Sequence, residues 1–115
     1  MNPTPLSANG ITAALLIRIP EQFPNVRVWR SNVLVARAGD RIVRAGLTGQ
    51  ADISGIGGPR GVRLEIEVKA GKDRISPAQE NFCAMIRRHG GIYILARDIE
   101  QALVELKTQM EARGC

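Results

Sequence analysis

The segment from residue 63 to residue 69 decides the fold of this chain, and it reads Arg63-Leu64-Glu65-Ile66-Glu67-Val68-Lys69. Apolar and charged residues alternate along it with a period of two, the spacing of side chains that face opposite sides of a β-strand. Leu64, Ile66 and Val68 therefore form one apolar face, and the acidic and basic side chains lie on the other. The pattern predicts a strand whose apolar face packs against a core.

A second strand is predicted directly before this one, over residues 50–56, and the two are joined by Gly57-Gly58-Pro59-Arg60-Gly61. Glycine and proline at this density indicate a turn, so the two strands are expected to form a hairpin. If the turn is centred just after Pro59, Asp52 lies directly opposite Glu67. Paired side chains on one face have Cβ atoms roughly 4.5–5.5 Å apart. A slip of one residue would move Asp52 to the wrong face.

The other predicted elements are a helix over 7–19, a strand over 26–35, a basic loop or ragged hairpin over 36–49, and a buried strand over 92–95. Two further helices open with capping sequences, Ser76-Pro77-Ala78-Gln79 and Asp98-Ile99-Glu100-Gln101. A strand, a helix and a strand between Lys69 and Leu95 imply one right-handed crossover with parallel pairing. The predicted class is α/β, with a mixed sheet flanked by helices.

The composition indicates a single globular domain over residues 1–115, with 44% hydrophobic and 23% charged residues. The net charge of +5 favours nucleic acid as the partner, because basic domains attract phosphate backbones. One Trp, one Tyr and two Phe argue against a multi-aromatic platform for single strands. The absence of a basic signal region, an apolar run broken by Arg18 and only two cysteines favour a cytoplasmic location without a membrane span.

The acidic face of the hairpin suggests a site for a hard cation. Mg²⁺ prefers oxygen ligands and usually takes one or two carboxylates, with water and phosphate completing its shell. Asp52 and Glu67 supply the carboxylates in this interpretation, and the Val68 carbonyl adds a third oxygen; Mn²⁺ is the alternative ion. Lys69, on the same face as Glu67, can orient a water or stabilise negative charge on phosphorus.

Four blocks of the sequence together resemble the VRR-NUC domain of the PD-(D/E)XK nuclease superfamily: Gly49-Gln50-Ala51-Asp52-Ile53-Ser54-Gly55, Ile66-Glu67-Val68-Lys69, Ser76-Pro77-Ala78-Gln79 and Gly90-Gly91-Ile92-Tyr93. The similarity extends from about Val28 to about Leu103. It implies a restriction-endonuclease-like αβββαβ core and a divalent-metal-dependent DNA endonuclease of bacteria or phages. It also implies branched substrates such as four-way junctions, a role in DNA repair or recombination, and a homodimer.

The resemblance assigns catalytic roles to Asp52, Glu67 and Lys69, and an additional polar role to Gln79. Many members of the family also carry a glutamate on the first helix, facing the site. This chain departs from that pattern, because its first acid, Glu21, follows Pro20 and is expected to lie beyond the helix. The departure removes the family's support for a second metal or for metal-bound water, which would lower activity while the primary site is kept.

Several alternatives compete with this interpretation. Alternating charged residues are often a solvated sheet face, and a capping box explains Gln79 without catalysis. Glu65 is expected to be a surface or supporting residue. Trp29 is expected to pack in the core, with DNA binding by Trp29-Arg30 as the alternative. The expected phosphate contacts are Lys72, Arg74, Arg41 and Arg44. A DNA-binding or assembly module with an impaired site is the main alternative function, ahead of a basic structural protein without DNA affinity.

Overall fold

The structure is a computed structural model that describes residues 6–31 and 34–115. Its elements, in chain order, are α1 (Ala8–Gln22), β1 (Val26–Arg30), β2 (Leu34–Ala38), β3 (Arg41–Ala45), β4 (Ile53–Gly57), β5 (Val62–Val68), α2 (Pro77–Arg88), β6 (Ile92–Ala96) and α3 (Ile99–Ala112). Within the described ranges, no helix has the length and apolar character needed to cross a bilayer.

The main sheet has the strand order β1-β4-β5-β6, and β2 and β3 form a separate two-stranded hairpin. Strand β4 is antiparallel to both of its neighbours, β1 and β5. Strands β5 and β6 are parallel and are connected through α2. The predicted α/β class and mixed sheet are therefore confirmed. Without the β2–β3 hairpin and α3, the order of elements is αβββαβ.

The predicted register of the β4–β5 hairpin is also confirmed. Ile53 pairs with Ile66, so the next residue outward, Asp52, lies opposite Glu67. The turn is centred where the sequence predicted it, because Gly57 pairs with Val62 across it. Gly58 and Gly61 within the turn adopt positive φ angles of 68° and 67° that suit glycine.

Helices cover both faces of the sheet. The apolar side of β5 joins α1, α3 and β6 in the larger core, with Leu15, Ile66 and Leu106 fully buried. On the other face, α2 contributes Phe82, Cys83 and Ile86 to a smaller cluster with Ala51 and Tyr93. The acidic side of β5 therefore lies beneath a helix.

Two predicted boundaries are wrong, the end of the first helix and the end of the first strand. Helix α1 continues through Pro20 to Gln22, because a proline this close to the C-terminus removes only one hydrogen bond and the Phe23 N–H still reaches Ile19 O at 2.7 Å. Glu21 therefore lies inside α1, where it is exposed. The strand predicted over 26–35 ends at Arg30. Of the two structures expected over 36–49, the hairpin is the one present, as β2 and β3, although β2 already begins at Leu34.

Candidate metal centre

Asp52 occupies the bend that leads into β4, and the backbone of β5 holds its side chain. One carboxylate oxygen, Oδ2, accepts a hydrogen bond from the Val68 N–H at 2.8 Å. The loop before Asp52 is fixed against the start of α2, since Gly49 has a φ of +78° and a Cβ there would lie 2.3 Å from Ala78 O. Close packing at Gly49 therefore sets the position of Asp52 relative to α2.

Glu67 is 3% exposed and lies beside Asp52. Burial, together with the negative charge of Asp52 and its hydrogen bonding to the protonated form, raises the pKa of Glu67 to about 8. The Lys69 ammonium opposes this effect from 3.9 Å. The Oε2 atom of Glu67 is buried without a hydrogen-bond partner among the described residues.

Gln79 connects α2 to Glu67 while it caps the helix. Its side-chain oxygen accepts from the Ser76 N–H at 2.7 Å, and its side-chain nitrogen donates to Glu67 Oε1 at 3.2 Å. The two ends of one amide therefore serve the helix cap and Glu67 at the same time.

Lys69 and the Val68 carbonyl complete the group that the sequence assigned to the site. The Lys69 side chain is 21% exposed, so it can reach a bound molecule as well as Glu67. The N–H and C=O groups of one strand residue point to the same neighbouring strand. Because the Val68 N–H points to Asp52, its carbonyl oxygen faces the same side of β5.

This arrangement fits a hard divalent cation. An ionised Glu67 would place a second negative charge beside Asp52 in a buried setting, which is unfavourable without a positive charge nearby. A bound cation would supply that charge and would contact the carboxylate oxygen that has no hydrogen-bond partner among the described residues. The described residues contain no cluster of three or more His, Cys, Asp or Glu side chains. Mg²⁺ does not require such a cluster, because water and substrate oxygens complete its shell.

Glu65 is buried, so of the two positions expected for it, at the surface or supporting the site, the surface position is wrong. Its carboxylate is 0% exposed and accepts from Ser54 Oγ, which lies 3.0 Å from each of its oxygens. An ion pair to Arg63 measures 2.7 Å, and Ser31 hydrogen-bonds to Ser54. Burial raises the pKa of Glu65, and the hydrogen bonds from Arg63 and Ser54 oppose that rise. A solvated acidic face is therefore wrong for both glutamates of β5.

Sequence reasoning missed Tyr93 as a polar neighbour of the site. Tyr93 pairs with Glu65 in the parallel register of β5 and β6, and it is 4% exposed. Its hydroxyl is buried without a hydrogen-bond partner among the described residues. Burial raises its pKa, and the charges of Glu67, Cys83 and Asp52 add to that effect. The short run 92–95 signalled only a buried strand, because its partner strand could not be aligned from sequence.

The predicted phosphate contacts belong to two different segments of the chain. Lys72 and Arg74 are exposed in the loop between β5 and α2, and Arg41 is exposed at the start of β3. Arg44 belongs to β3, but its side chain lies outside the described part of the structure. The described hydrogen bonds and ion pairs do not join Lys72, Arg74 or Arg41 to Asp52 or Glu67.

No protein-family model matches the chain, and no curated protein matches it. The resemblance to the VRR-NUC domain therefore remains a prediction that depends on the four sequence blocks.

Proposed function

We propose that this protein is a divalent-metal-dependent DNA endonuclease of the VRR-NUC type, with Mg²⁺ or Mn²⁺ as its cofactor. The observation that carries the proposal is the pair of adjacent carboxyl groups on one sheet face, of which Glu67 has an unpartnered buried oxygen. Lys69 and Gln79 both lie against the same glutamate. Two acids, a lysine and an amide in this arrangement support phosphodiester hydrolysis.

Asp52, Glu67 and the Val68 carbonyl would hold the cation. When bound, it would supply Lewis-acid chemistry, neutralising charge on the phosphate and making a water more acidic. The hydrogen bonds from the Val68 N–H to Asp52 and from Gln79 to Glu67 keep both carboxylates in position without loop rearrangement.

Lys69 acts on the phosphate in this proposal. Its partly exposed ammonium lies 3.9 Å from Glu67, so it can stabilise negative charge as the water oxygen bonds to phosphorus. The bond between phosphorus and the leaving oxygen breaks in the same reaction, and the proton lost by the water is balanced by protonation of that oxygen or by release to solvent. Gln79 positions Glu67 and does not need to touch the substrate.

The proposed substrate and oligomeric state depend on the net charge and on the sequence resemblance. The net charge of +5 supports a polyanionic partner, and Lys72, Arg74, Arg41 and Arg44 are the proposed phosphate contacts. Branched DNA such as a four-way junction and a role in repair or recombination follow from the resemblance alone. A homodimer would place two related sites on two strands. The cytoplasm of a bacterium or of a phage host is the proposed location.

A cleavage assay on junction, flap and duplex DNA, with Mg²⁺, Mn²⁺ or EDTA, tests the proposal. We expect metal-dependent cleavage that is lost when Glu67→Ala and Lys69→Ala are combined. The pair Glu105→Ala and Lys107→Ala is the matched control, since it removes the same charges at the same spacing from exposed positions on α3. Cleavage by the first double variant at the wild-type rate would refute the assigned roles.

A non-catalytic DNA-binding or assembly module is the second candidate. The observation that favours it is the first helix, whose one described acid, Glu21, is exposed in the last turn. This candidate predicts DNA binding that does not depend on metal and no cleavage product at any metal concentration. The same assay, read beside a binding measurement in EDTA, separates the two candidates.

A further inference from the structure

The sheet face that carries the candidate metal centre continues past the cover of α2. Helix α2 packs on Ala51 and Tyr93, whereas Trp29 on β1 and Ile56 on β4 are 44% and 45% exposed. Trp29 is the only tryptophan in the chain. Its exposure corrects the expectation that this ring packs in the core.

The register places Trp29 beside the metal centre on the same face. Trp29 pairs with Ser54, and Ser54 pairs with Glu65, one row along the strands from Asp52 and Glu67. Two strand spacings and two residues separate Trp29 from Glu67, about 10 Å across the sheet and about 7 Å along it. A nucleotide next to a phosphate held at the metal centre can reach the ring.

A buried ionic network fixes this exposed surface. The guanidinium carbon of Arg63 lies 5.8 Å from the centroid of the Trp29 ring. The same guanidinium is held by the fully buried Glu65 at 2.7 Å, and Ser54 holds Glu65 from the neighbouring strand. Arg63 therefore has a fixed position with about half of its side chain exposed. A cation on an aromatic face is attractive in itself and keeps the ring pre-positioned.

The surrounding charge favours a nucleic acid over an apolar partner. Arg27 on β1 pairs with Ile56, and Ile56 pairs with Arg63, so two arginines lie in the row next to Trp29. An indole ring flanked by guanidinium groups is a typical receptor for an unstacked base and its phosphate. A single ring also agrees with the low aromatic content, which argued only against a platform of several rings.

We propose that Trp29 and Arg63 form a binding site for one unstacked nucleotide of a nucleic acid, next to the phosphate at the metal centre. Trp29 stacks on the base, and Arg63 and Arg27 contact the phosphates. The site prefers single strands or branch points over continuous duplex, because the bases of a duplex are already stacked on each other. This inference depends on the proposed function for the position of the scissile phosphate.

Because Trp29 is the only tryptophan, its fluorescence reports directly on this surface. The experiment uses the full chain in EDTA with a labelled single-stranded oligonucleotide, an unlabelled copy of it, and a duplex of the same length. Anisotropy of the label measures binding, and tryptophan emission with the unlabelled strand measures stacking. We expect saturable quenching by the single strand and much weaker quenching by the duplex at equal occupancy.

Variants connect the binding signal to the two residues. Trp29→Ala should weaken single-strand binding about 5- to 150-fold, while Trp29→Phe should retain part of the affinity. If Arg63→Ala fails to fold beside the buried Glu65, Arg63→Lys takes its place, because lysine keeps the positive charge. Arg63→Lys should weaken single-strand binding several-fold. Val104→Ala is the control, since it shortens another exposed apolar side chain, on α3, at 64% exposure. It should bind like the wild type.

Two results would overturn the inference. One is anisotropy that shows saturated single-strand binding while the tryptophan emission stays unchanged and Trp29→Ala binds normally. The other is emission that changes with protein concentration and not with DNA, which would assign this surface to a second copy of the chain. Because binding is measured in EDTA, an inactive protein can still support the inference. If the protein cleaves DNA normally and Trp29 has no role in binding, the inference is refuted while the proposed function stands.

Discussion

Replacing Glu67 with glutamine removes an ionisable group that the folded protein holds in an unfavourable place. Burial and the neighbouring Asp52 raise the pKa of Glu67 from its ordinary value of 4.5 to about 8. Between pH 4.5 and pH 8, the unfolded chain therefore loses this proton while the folded chain keeps it. The free energy of unfolding of the metal-free protein falls as the pH rises through this window, and the loss is complete above it.

The size of this effect follows from the interval between the two pKa values. At about 1.36 kcal/mol for each pH unit, it amounts to an upper limit of about 5 kcal/mol at pH 8 and above. Glutamine has nearly the same shape, can still accept a hydrogen bond from Gln79, and can donate one to Asp52. In EDTA, Glu67→Gln should therefore match the wild type near pH 4.5 and exceed it in stability by several kcal/mol at pH 8.

Urea unfolding from pH 4.5 to pH 9 measures this difference, with and without Mg²⁺. Glu65 also has a raised pKa, but it is present in both proteins, so the comparison isolates Glu67. Saturating Mg²⁺ should stabilise the wild type by about 2.7 kcal/mol at 100 times its dissociation constant, more strongly at pH 8 than at pH 6. The same addition should leave Glu67→Gln nearly unchanged. Parallel pH profiles in EDTA, or a glutamine variant less stable than the wild type at pH 8, would refute the reasoning.

Three further predictions concern the surroundings of Glu67. Lys69→Met should lower the DNA cleavage rate at least 100-fold, on the scale of one lost transition-state contact, while Mg²⁺ still stabilises the variant in urea unfolding. Loss of both cleavage and Mg²⁺ stabilisation would contradict the role of Lys69 at the phosphate. Each of the variants Gln79→Ala and Ser76→Ala should cost about 1 kcal/mol of stability, because each removes part of the helix cap. Only Gln79→Ala should slow DNA cleavage. Equal cleavage rates in the two variants would mean that Gln79 acts only as a cap. Gly49→Ala should cost well over 1 kcal/mol in thermal unfolding, because its Cβ would meet the α2 backbone at a positive φ, whereas Gly39→Ala meets nothing within 4 Å. Similar losses in the two glycine variants would show that packing at Gly49 does not matter.

The sequence predicted the hairpin and its register because both are local properties. A period of two and a glycine-rich turn were enough to align Ile53 with Ile66 and to place Asp52 opposite Glu67. The capping boxes at Ser76 and Asp98 were equally local, and both are confirmed.

The parts of the site that sequence did not predict depend on contacts between distant segments. Glu65 could not be placed between the surface and a supporting position, because the sequence did not show that Ser54 on β4 and Tyr93 on β6 would flank it in the sheet. The resemblance assigned Gln79 to the site, but its hydrogen bond to Glu67, twelve residues away, could not be predicted from the local sequence, which indicated only a cap. Trp29 is exposed because α2 packs on Ala51 and Tyr93 and does not extend over β1. The local sequence around Trp29 does not show how far α2 extends.

The proposed nuclease requires that Asp52 and Glu67 hold one divalent cation together. A crystal of the protein soaked in Mn²⁺ above pH 8, with anomalous scattering recorded for manganese, shows whether they do. We expect one strong peak bound by carboxylate oxygens of Asp52 and Glu67 and by the Val68 carbonyl oxygen, absent from a Glu67→Gln crystal. A saturated crystal with no peak at these oxygens, or with its peak elsewhere, would contradict the proposal.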